Sequence, residues 1–157
     1  MPGVRSEGPF PRASLRDLEG RPHPLEEAWK DGEALVLIGH RNCKTTRETI
    51  PYVDRIHRRR TRGRALLVLQ DDAETARGLA ADLKLEVPIL LEEDPYPVAA
   101  ALELVAVPTL FGLDAEGRIV KVVEAFDRAG LEGFAERLGV PPPLFVPEDK
   151  APAFKPG

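Results

Sequence analysis

Three short apolar runs stand out along the chain, and each lacks the alternation of apolar and polar residues that marks a half-exposed strand. They are ALVLIG (residues 34–39), ALLVL (65–69) and VPILL (87–91). Continuous runs of this length are typical of strands buried on both faces of a sheet. Pro88 stands near the start of the third run, where a missing N–H group disturbs pairing least. We therefore predict three central strands.

The segments between these runs follow the period of a helix. From Cys43 to about Arg60, apolar residues recur at spacings of three along one face, with Pro51 as an interruption. The segment DDAETARGLAADLKL opens with acidic residues, which suit a helix N-terminus, and keeps alanine and leucine on one face. Short helical turns are predicted at 25–33 and 96–104. Strands that alternate with helices predict an α/β sheet covered on both faces.

Both ends of this central region carry hairpin patterns. Near the N-terminus, ASLRDLEGRPHPL alternates weakly around Gly20 and predicts a short hairpin with its turn at 18–20. Further on, PTLFGLDAEGRIVKVVEAF predicts two strands joined by a turn at 114–117. A closing helix is predicted over 128–139, where Gly139 ends it.

The chain is long enough for one domain with a core of its own. We expect this domain to span residues 1–139, with an irregular start over 1–12 and a core of about 11–139. A proline-rich extended C-terminal tail of residues 140–157 follows, and it contains six prolines. So many prolines exclude a helix or a central strand and predict an extended chain. The tail therefore either packs along the surface or is mobile.

The composition is that of a soluble globular protein, with 43% hydrophobic and 31% charged residues. A net charge of −4 offers no general attraction to nucleic acid or to anionic lipid. The basic run HRRRTRGR (57–64) lies at the end of a predicted helix, where cations stabilise exposed carbonyl groups. We expect neither nucleic acid nor a membrane as a partner. Because the N-terminal sequence has no secretory signal pattern, a cytoplasmic location is the expectation.

Cofactor and metal chemistry find no support in the sequence. The three histidines, His23, His40 and His57, are dispersed, and no acidic residue stands at a ligand-like spacing from them. No glycine-rich phosphate-binding motif is present. The single cysteine, Cys43, excludes an internal disulfide. We therefore predict neither a cofactor nor a metal ion.

Cys43 stands where a predicted strand gives way to a helix, and that position has chemical consequences. Unpaired N–H groups and the macrodipole at a helix N-terminus favour an anion, and the thiolate is the form of cysteine that attacks disulfides and peroxides. His40 adds positive charge when protonated or acts as a base, and the Thr46 hydroxyl could donate a hydrogen bond to the sulfur. Three basic residues stand within one turn: Arg41, Lys44 and Arg47. The alternative is an ordinary buried cysteine.

The stretch CKTTRETIP resembles the redox motif of the thioredoxin-like superfamily, in which Cys-x-x-Cys opens a helix kinked by a proline. Cys43 fills the first cysteine position, Thr46 the second, and Pro51 the position of the kink. VAVPTLFGLDAEGRIV resembles the second hallmark, a cis-proline loop followed by a strand and a glycine turn. By this resemblance Pro108 is the cis-proline, and its loop lies beside the thiol and pairs with an extended substrate.

The segment SLRDLEGRPHPLEEAWKDGEALVLIG resembles the start of one branch of that superfamily. The branch contains the alkyl hydroperoxide reductases, the thiol-specific antioxidant proteins (redoxins) and the membrane-tethered thiol–disulfide oxidoreductases. The interval from Cys43 to Pro108 contains an extra helix–strand unit, as it does in that branch. The resemblance covers roughly residues 11–139. It implies a thioredoxin-like α/β fold with a central mixed β-sheet, helices on both faces, an N-terminal hairpin and a helix–strand insertion.

The resemblance also implies a set of site residues and a departure from dithiol chemistry. A dithiol enzyme breaks its mixed disulfide by attack from a second cysteine, and because Thr46 stands in that place, ordinary dithiol reduction is excluded. We expect a single-cysteine thiol oxidoreductase in which a mixed disulfide or a sulfenic acid at Cys43 is resolved by an external thiol. Its partners are an external thiol reductant or a protein disulfide, and a homodimer stays open. The implied catalytic residues are Cys43, Thr46 and Pro108, and the implied substrate-binding residues are Val107, Thr109, His40 and Asn42.

Two alternatives stay open. The first is a thiol-dependent peroxidase that resembles a peroxiredoxin or a glutathione peroxidase. Thr46 and Gln70 match the glutathione peroxidases, whereas His40 and Pro108 stand where peroxiredoxins have a threonine and an arginine. Trp29 could serve such a peroxidase as an indole partner, although burial in the core explains it more readily. The second alternative is a non-catalytic binding module that keeps the thioredoxin fold.

Overall fold

The computed structural model describes residues 3–157, so Met1 and Pro2, where the irregular start was predicted, lie outside the described residues. Strands alternate with helices in the middle of the described chain, and consecutive strands stand on either side of that region. The chain's strands are β1 (Ser14–Arg16), β2 (Pro22–Pro24), β3 (Ala34–Gly39), β4 (Arg64–Leu69), β5 (Ile89–Leu91), β6 (Thr109–Leu113), β7 (Ile119–Glu124), β8 (Phe126–Asp127) and β9 (Phe154–Lys155). Its α-helices are α1 (Lys44–Arg59), α2 (Ala73–Leu83), α3 (Pro97–Ala101) and α4 (Arg128–Arg137), with 3₁₀ helices at Leu25–Trp29 and Pro147–Asp149.

Seven strands form one mixed sheet in the order β2-β1-β5-β4-β3-β6-β7. The three apolar runs become β3, β4 and β5, which are parallel neighbours. Strand β6 pairs antiparallel with β3, and β7 pairs antiparallel with β6. The predicted N-terminal hairpin is β1–β2, which pairs with β5 at the far side. The predicted central strands and both hairpins are therefore confirmed.

Both faces of the sheet are covered, as the apolar runs predicted. Alternate residues of β3 point to opposite sides: Leu35 and Leu37 belong to a core with α1, α2 and α4, whereas Val36 and Ile38 belong to a second core. The second core is closed by the first 3₁₀ helix and by α3, and Trp29 is buried in it. The fold class, a mixed α/β sheet with helices on both faces, is as the sequence predicted.

Helix α1 is held to the sheet by a buried carboxylate. Asp54 is only 5% exposed, yet its oxygens have three donors. The backbone N–H groups of Glu86 and Val87 donate to it at 2.7 and 2.8 Å, and Arg58 donates at 2.6 Å. Buried charges are tolerated when they are paired and hydrogen-bonded in this way. Asp54 thus holds the segment that leads into β5 against α1, the helix that follows Cys43.

The arginine run that follows α1 has protein partners throughout. Its guanidinium groups bond to carboxylates and to backbone carbonyls at helix and tail ends, as the structural interpretation of this run predicted. The pairs are Arg58 with Asp54, Arg59 with the carbonyls of Pro141 and Pro143, Arg60 with that of Gly63, Arg62 with those of Glu136 and Arg137, and Arg64 with Asp31. The run therefore connects α1 to its surroundings.

The tail packs along the surface, which is one of the two arrangements that the sequence left open. Leu144 and Phe145 are buried against the α1 side of the sheet. The tail is not extended throughout, because a 3₁₀ turn forms at Pro147–Asp149 and β9 pairs antiparallel with β8. The division into a domain of residues 1–139 and a separate tail stays a prediction.

Within residues 3–157, no helix is both long enough and apolar enough to cross a membrane. Over the same range, no three side chains of histidine, cysteine, aspartate or glutamate are grouped to hold a metal ion. Two of the three histidines have protein partners: His23 bonds to Asp17 at 2.7 Å, and His57 lies 3.2 Å from a guanidinium nitrogen of Arg60.

Candidate active site

Cys43 is the N-cap residue of α1, and a short loop after β3 presents it. Its backbone N–H donates to the carbonyl of His40 at 3.2 Å, which closes the turn before the helix. Its own carbonyl accepts the first helical hydrogen bond, from the N–H of Arg47 at 3.1 Å. The carboxylate of Asp71 fixes the loop from outside by accepting the N–H of Arg41 at 2.9 Å. The predicted strand–loop–helix setting of Cys43 is therefore confirmed.

The sulfur of Cys43 faces a backbone carbonyl across the site. Sγ lies 3.5 Å from the oxygen of Val107, and the residue is half-buried. Its side chain makes no capping hydrogen bond to the helix N-terminus. A carbonyl oxygen accepts a hydrogen bond from a thiol and has nothing to donate to a thiolate. Sγ must therefore turn from the Val107 carbonyl toward the first N–H groups of α1 before the helix end can stabilise a thiolate.

The loop that supplies this carbonyl is the one predicted to hold a cis-proline. The Val107–Pro108 peptide bond is cis, which confirms that prediction. The hydroxyl of Thr109, which is fully buried, donates to the carbonyl of Ala106 at 2.7 Å and ties the loop to the start of β6. Of the predicted substrate-binding residues, Val107 is therefore beside the sulfur through its carbonyl, while Thr109 supports the loop from below.

Thr46 requires a correction. The prediction that its hydroxyl bonds to the sulfur of Cys43 is wrong, because Oγ1 is buried and has no hydrogen-bond partner within residues 3–157. The side chain points toward β3: a Cβ built on Gly39 would lie 2.7 Å from Cγ2 of Thr46. One turn into the helix, position 46 lies on the inner face, so its side chain packs under the strand end and away from the loop.

The polar residues around the sulfur differ in solvent exposure and in their bonding partners. Asn42 is exposed and His40 is half-buried. Their predicted contacts with a substrate stay a prediction. Among the basic residues, Arg47 donates to the carbonyl of Arg41, and the ammonium group of Lys44 lies 3.8 Å from Glu48. Of these basic side chains, Lys44 is therefore near a carboxylate and Arg47 is bonded to the backbone of the loop.

The side chains of Gln70 and Trp29 both contact residues other than Cys43. The Gln70 amide donates to the carboxylate of Glu92 at 3.2 Å, and Glu92 is almost fully buried beside the N-terminus of α3. Trp29 is 6% exposed, and a Cβ on Gly117 would lie 2.4 Å from its indole. The expected burial of Trp29 is confirmed.

Two residues of α1 belong to the site although the sequence analysis assigned them no role. Thr45 is 4% exposed, and its hydroxyl donates to the carbonyl of Pro156 at 2.5 Å. Both carboxylate oxygens of Glu48 accept from the ammonium group of Lys155, at 2.7 and 2.6 Å. Each contact joins residues more than 100 positions apart, so local pattern offers no signal for it.

Several solved structures have a fold similar to that of this chain. The thioredoxin domain of a thiol-disulfide oxidoreductase from Bacteroides vulgatus has a TM-score of 0.73 at 20% identity and covers 86% of this chain and 98% of its own. Peroxidoxin BcpB from Mycobacterium tuberculosis has a TM-score of 0.69 at 15% identity, with coverages of 86% and 94%. A thiol:disulfide interchange protein from Bacteroides sp. has a TM-score of 0.67 at 20% identity, with coverages of 76% and 81%.

Sequence comparison adds nothing to the structural likeness. No protein-family model matches the chain, and no curated protein matches it. At identities of 20% or less, the likeness to these three structures establishes the architecture of the chain and leaves the chemistry to the site itself.

Proposed function

We propose that this chain, which has the thioredoxin-like fold, is a single-cysteine thiol oxidoreductase with Cys43 as its nucleophile. The observation that carries the proposal is the position of Sγ. It stands at the N-terminus of α1 and 3.5 Å from the carbonyl of Val107, in the cis-proline loop. Two features needed for thiol–disulfide exchange thus lie within reach of one sulfur: a backbone edge that can pair with an extended substrate, and a helix end that favours a thiolate once Sγ turns toward it.

The reaction proceeds by two exchanges at the same sulfur. The thiolate of Cys43 attacks one sulfur of a substrate disulfide, so that the substrate S–S bond breaks, a mixed disulfide forms at Cys43, and the leaving thiolate takes up a proton. An external thiol, as its thiolate, then attacks the mixed disulfide and regenerates Cys43. The external thiol ends in a disulfide with the substrate sulfur that Cys43 carried. When the substrate is a glutathionylated polypeptide and Cys43 carries the glutathione sulfur, attack by a second glutathione gives glutathione disulfide, and two electrons have passed to the polypeptide thiol.

The second exchange must use an external thiol because the position of a resolving cysteine is filled by Thr46. Its side chain is buried and contains no sulfur. Thr46 therefore supports the start of the helix and takes no part in the exchange. Because it cannot attack the mixed disulfide, that disulfide stays unresolved until an external thiol arrives. We include in the proposal that the external thiol is small, of the glutathione type, or is a cysteine of another protein.

A peroxidase cycle at Cys43 has weaker support. The Gln70 amide is committed to Glu92, so it is not aimed at the sulfur. His40 and Pro108 replace the threonine and arginine that the peroxiredoxin resemblance requires. A non-catalytic binding module would need no accessible sulfur in its loop. It therefore predicts that replacing Cys43 leaves function intact.

The test is to trap and then resolve the mixed disulfide. The purified protein is incubated with a glutathionylated model peptide, and the Cys43 adduct is detected by intact mass. Glutathione is then added, and release of the adduct is followed. We expect an adduct that forms and clears in the wild type and is missing in the matched Cys43→Ser variant. Deglutathionylation at the same rate in both proteins would overturn the proposal. Consumption of hydrogen peroxide far above that of a free thiol would favour the peroxidase instead.

A further inference from the structure

The tail returns from the end of α4 across α1 and is held there in two stages. The first stage is apolar and buried, with Phe145 stacked against Tyr52 at 4.6 Å between ring centroids. It is locked by Arg55, whose guanidinium donates to the carbonyl of Leu144 at 2.9 Å and pairs with both carboxylate oxygens of Asp149, at 2.8 and 3.0 Å. Up to residue 149, therefore, the tail is a built part of the structure.

Beyond that anchor, residues 152–157, which we call the strap, run in an extended conformation toward Cys43. The carbonyl of Ala153 accepts from the N–H of Arg128 at 3.0 Å, and Phe154–Lys155 pair antiparallel with β8. The ammonium group of Lys155 binds Glu48, and the carbonyl of Pro156 accepts from Thr45. These are the contacts of a peptide laid along a strand edge and a helix start.

The carbonyl oxygen of Val107 lies next to both the end of the strap and the sulfur of Cys43. A Cβ built on Gly157 would lie 2.1 Å from the carbonyl oxygen of Val107, the oxygen that lies 3.5 Å from Sγ of Cys43. A side chain larger than hydrogen has no room at position 157 in this path. The strap therefore occupies the cis-proline loop edge that the proposed function reserves for a substrate.

The strap is held more weakly than the anchor that precedes it. Phe154 is 57% exposed, and the two partners of the Lys155–Glu48 pair are each about one-third exposed. A cavity of about 500 Å³ lies between α1 and the chain from Asp149 to Lys155, lined by Glu48, Tyr52 and Arg55 among others. Since few apolar contacts fix residues 152–157, they can detach while the anchor at Arg55 and Asp149 stays in place.

We propose that the strap is an intramolecular occupant of the substrate groove, and that it covers Cys43 until an extended polypeptide displaces it. This inference rests on the proposed function. The contacts of the strap also define the polypeptide that fits: one with a lysine or arginine two residues before the residue that faces Cys43, placed to pair with Glu48. Arginine and lysine both reach a carboxylate at such a position.

The test measures the access of a small neutral reagent to the sulfur in the full-length chain. Iodoacetamide is chosen because a neutral probe is not steered by the charge changes. In Lys155→Glu a repulsion replaces the pair with Glu48, and the alkylation rate of Cys43 should rise roughly two- to fivefold, given the strength of exposed ion pairs. The control Lys150→Glu makes the same charge change at an exposed residue outside the strap and should leave the rate unchanged.

Two further arms make the result specific. The double variant Glu48→Lys, Lys155→Glu restores the pair with opposite signs and should return the rate toward that of the wild type. A synthetic peptide of residues 151–157, APAFKPG, added in excess to Lys155→Glu, should slow alkylation again, while a peptide with glutamate in place of lysine should not. Equal alkylation rates in the wild type and in Lys155→Glu, both folded by circular dichroism, would overturn the proposal.

The alkylation readout separates this inference from the proposed function, because alkylation needs no catalysis. Exchange that depends on Cys43 but proceeds at one rate in the wild type and in Lys155→Glu would reject the strap and keep the oxidoreductase. Faster alkylation in Lys155→Glu, with no exchange in any variant, would reject the proposed oxidoreductase activity. It would also reject the proposal that the strap occupies a substrate groove, because there would be no substrate for it to replace.

Discussion

Replacing Thr46 by cysteine should convert this single-cysteine site into a dithiol site. Positions 43 and 46 are three residues apart across the first turn of α1, where Cβ atoms are about 5–6 Å apart. This separation at a helix start lies close to what a disulfide accepts after a small adjustment. Because the Thr46 side chain packs under Gly39, the new sulfur must turn to a rotamer that faces the half-buried Cys43 before the disulfide can form.

The substitution should leave the fold intact, because its two energetic effects oppose each other. Loss of a buried methyl group costs about 1 kcal/mol. Removal of a buried hydroxyl without a partner recovers about 1–3 kcal/mol. The free energy of unfolding should therefore change by no more than about 2 kcal/mol, which corresponds to a shift in Tm of several degrees for a chain of this length.

The chemical effect should be much larger than the effect on stability. A thiol held at an effective concentration of at least about 1 mM resolves a mixed disulfide ~100-fold faster than an external thiol at about 10 µM. We expect Thr46→Cys, once loaded with a glutathionylated peptide, to release the peptide without added thiol and to lose two hydrogens by mass. The matched control is Thr46→Ser, which loses the same methyl group and contains no sulfur. If both thiols of Thr46→Cys stayed free under mild oxidation while Cys43 still formed adducts, the expectation that a thiol at position 46 can turn to reach Cys43 would be refuted.

Three further predictions concern residues that build the site. Thr46→Val removes an unpartnered buried hydroxyl at nearly constant shape, so the free energy of unfolding in urea should rise by about 1 kcal/mol, and a loss of stability would contradict the reported burial. Asp54→Ala leaves two buried N–H groups and Arg58 without an acceptor and should destabilise the fold by about 3 kcal/mol, with Asp54→Asn costing less because one oxygen remains. The hydrogen bonds from Arg55 hold the pKa of Asp149 below its usual value of 3.8. Since a lowered pKa in the folded state stabilises at pH values above the unfolded pKa, the stability difference between the wild type and Asp149→Asn should be constant from about pH 5 to 7 and shrink in stronger acid. A difference that grew on acidification would contradict this pairing.

Much of the fold could be predicted because its signals are local. The apolar runs at 34–39, 65–69 and 87–91 contain no polar residue that could face water, so only the centre of a covered sheet suits them. The turn at Asp114–Gly117 is equally local, since the Asp114 carboxylate accepts the N–H groups of Glu116 and Arg118 at 2.9 Å. The cis bond before Pro108 was predicted by resemblance.

The details of the site could not be predicted because they depend on side-chain direction and on distant contacts. Thr46 follows Cys43 by three residues, and sequence spacing alone does not distinguish a hydroxyl that faces the sulfur from one that packs under Gly39. The path of the tail is a stronger case. Proline content predicted an extended tail, but the pairing of Lys155 with Glu48 arises only once α1 and β8 are in place.

A single sulfur and a covering strap have a joint consequence for selectivity. If the strap closes the groove for most of the time, the apparent affinity for a polypeptide falls by the fraction of molecules that are open. A polypeptide that pairs with Glu48 and with β8 replaces every contact that the strap gives up, whereas a small disulfide replaces none of them. Both exchanges take place at Cys43, so a bound polypeptide also keeps the strap away while the external thiol attacks. The arrangement therefore favours extended polypeptides over small disulfides in the first exchange without any second cysteine.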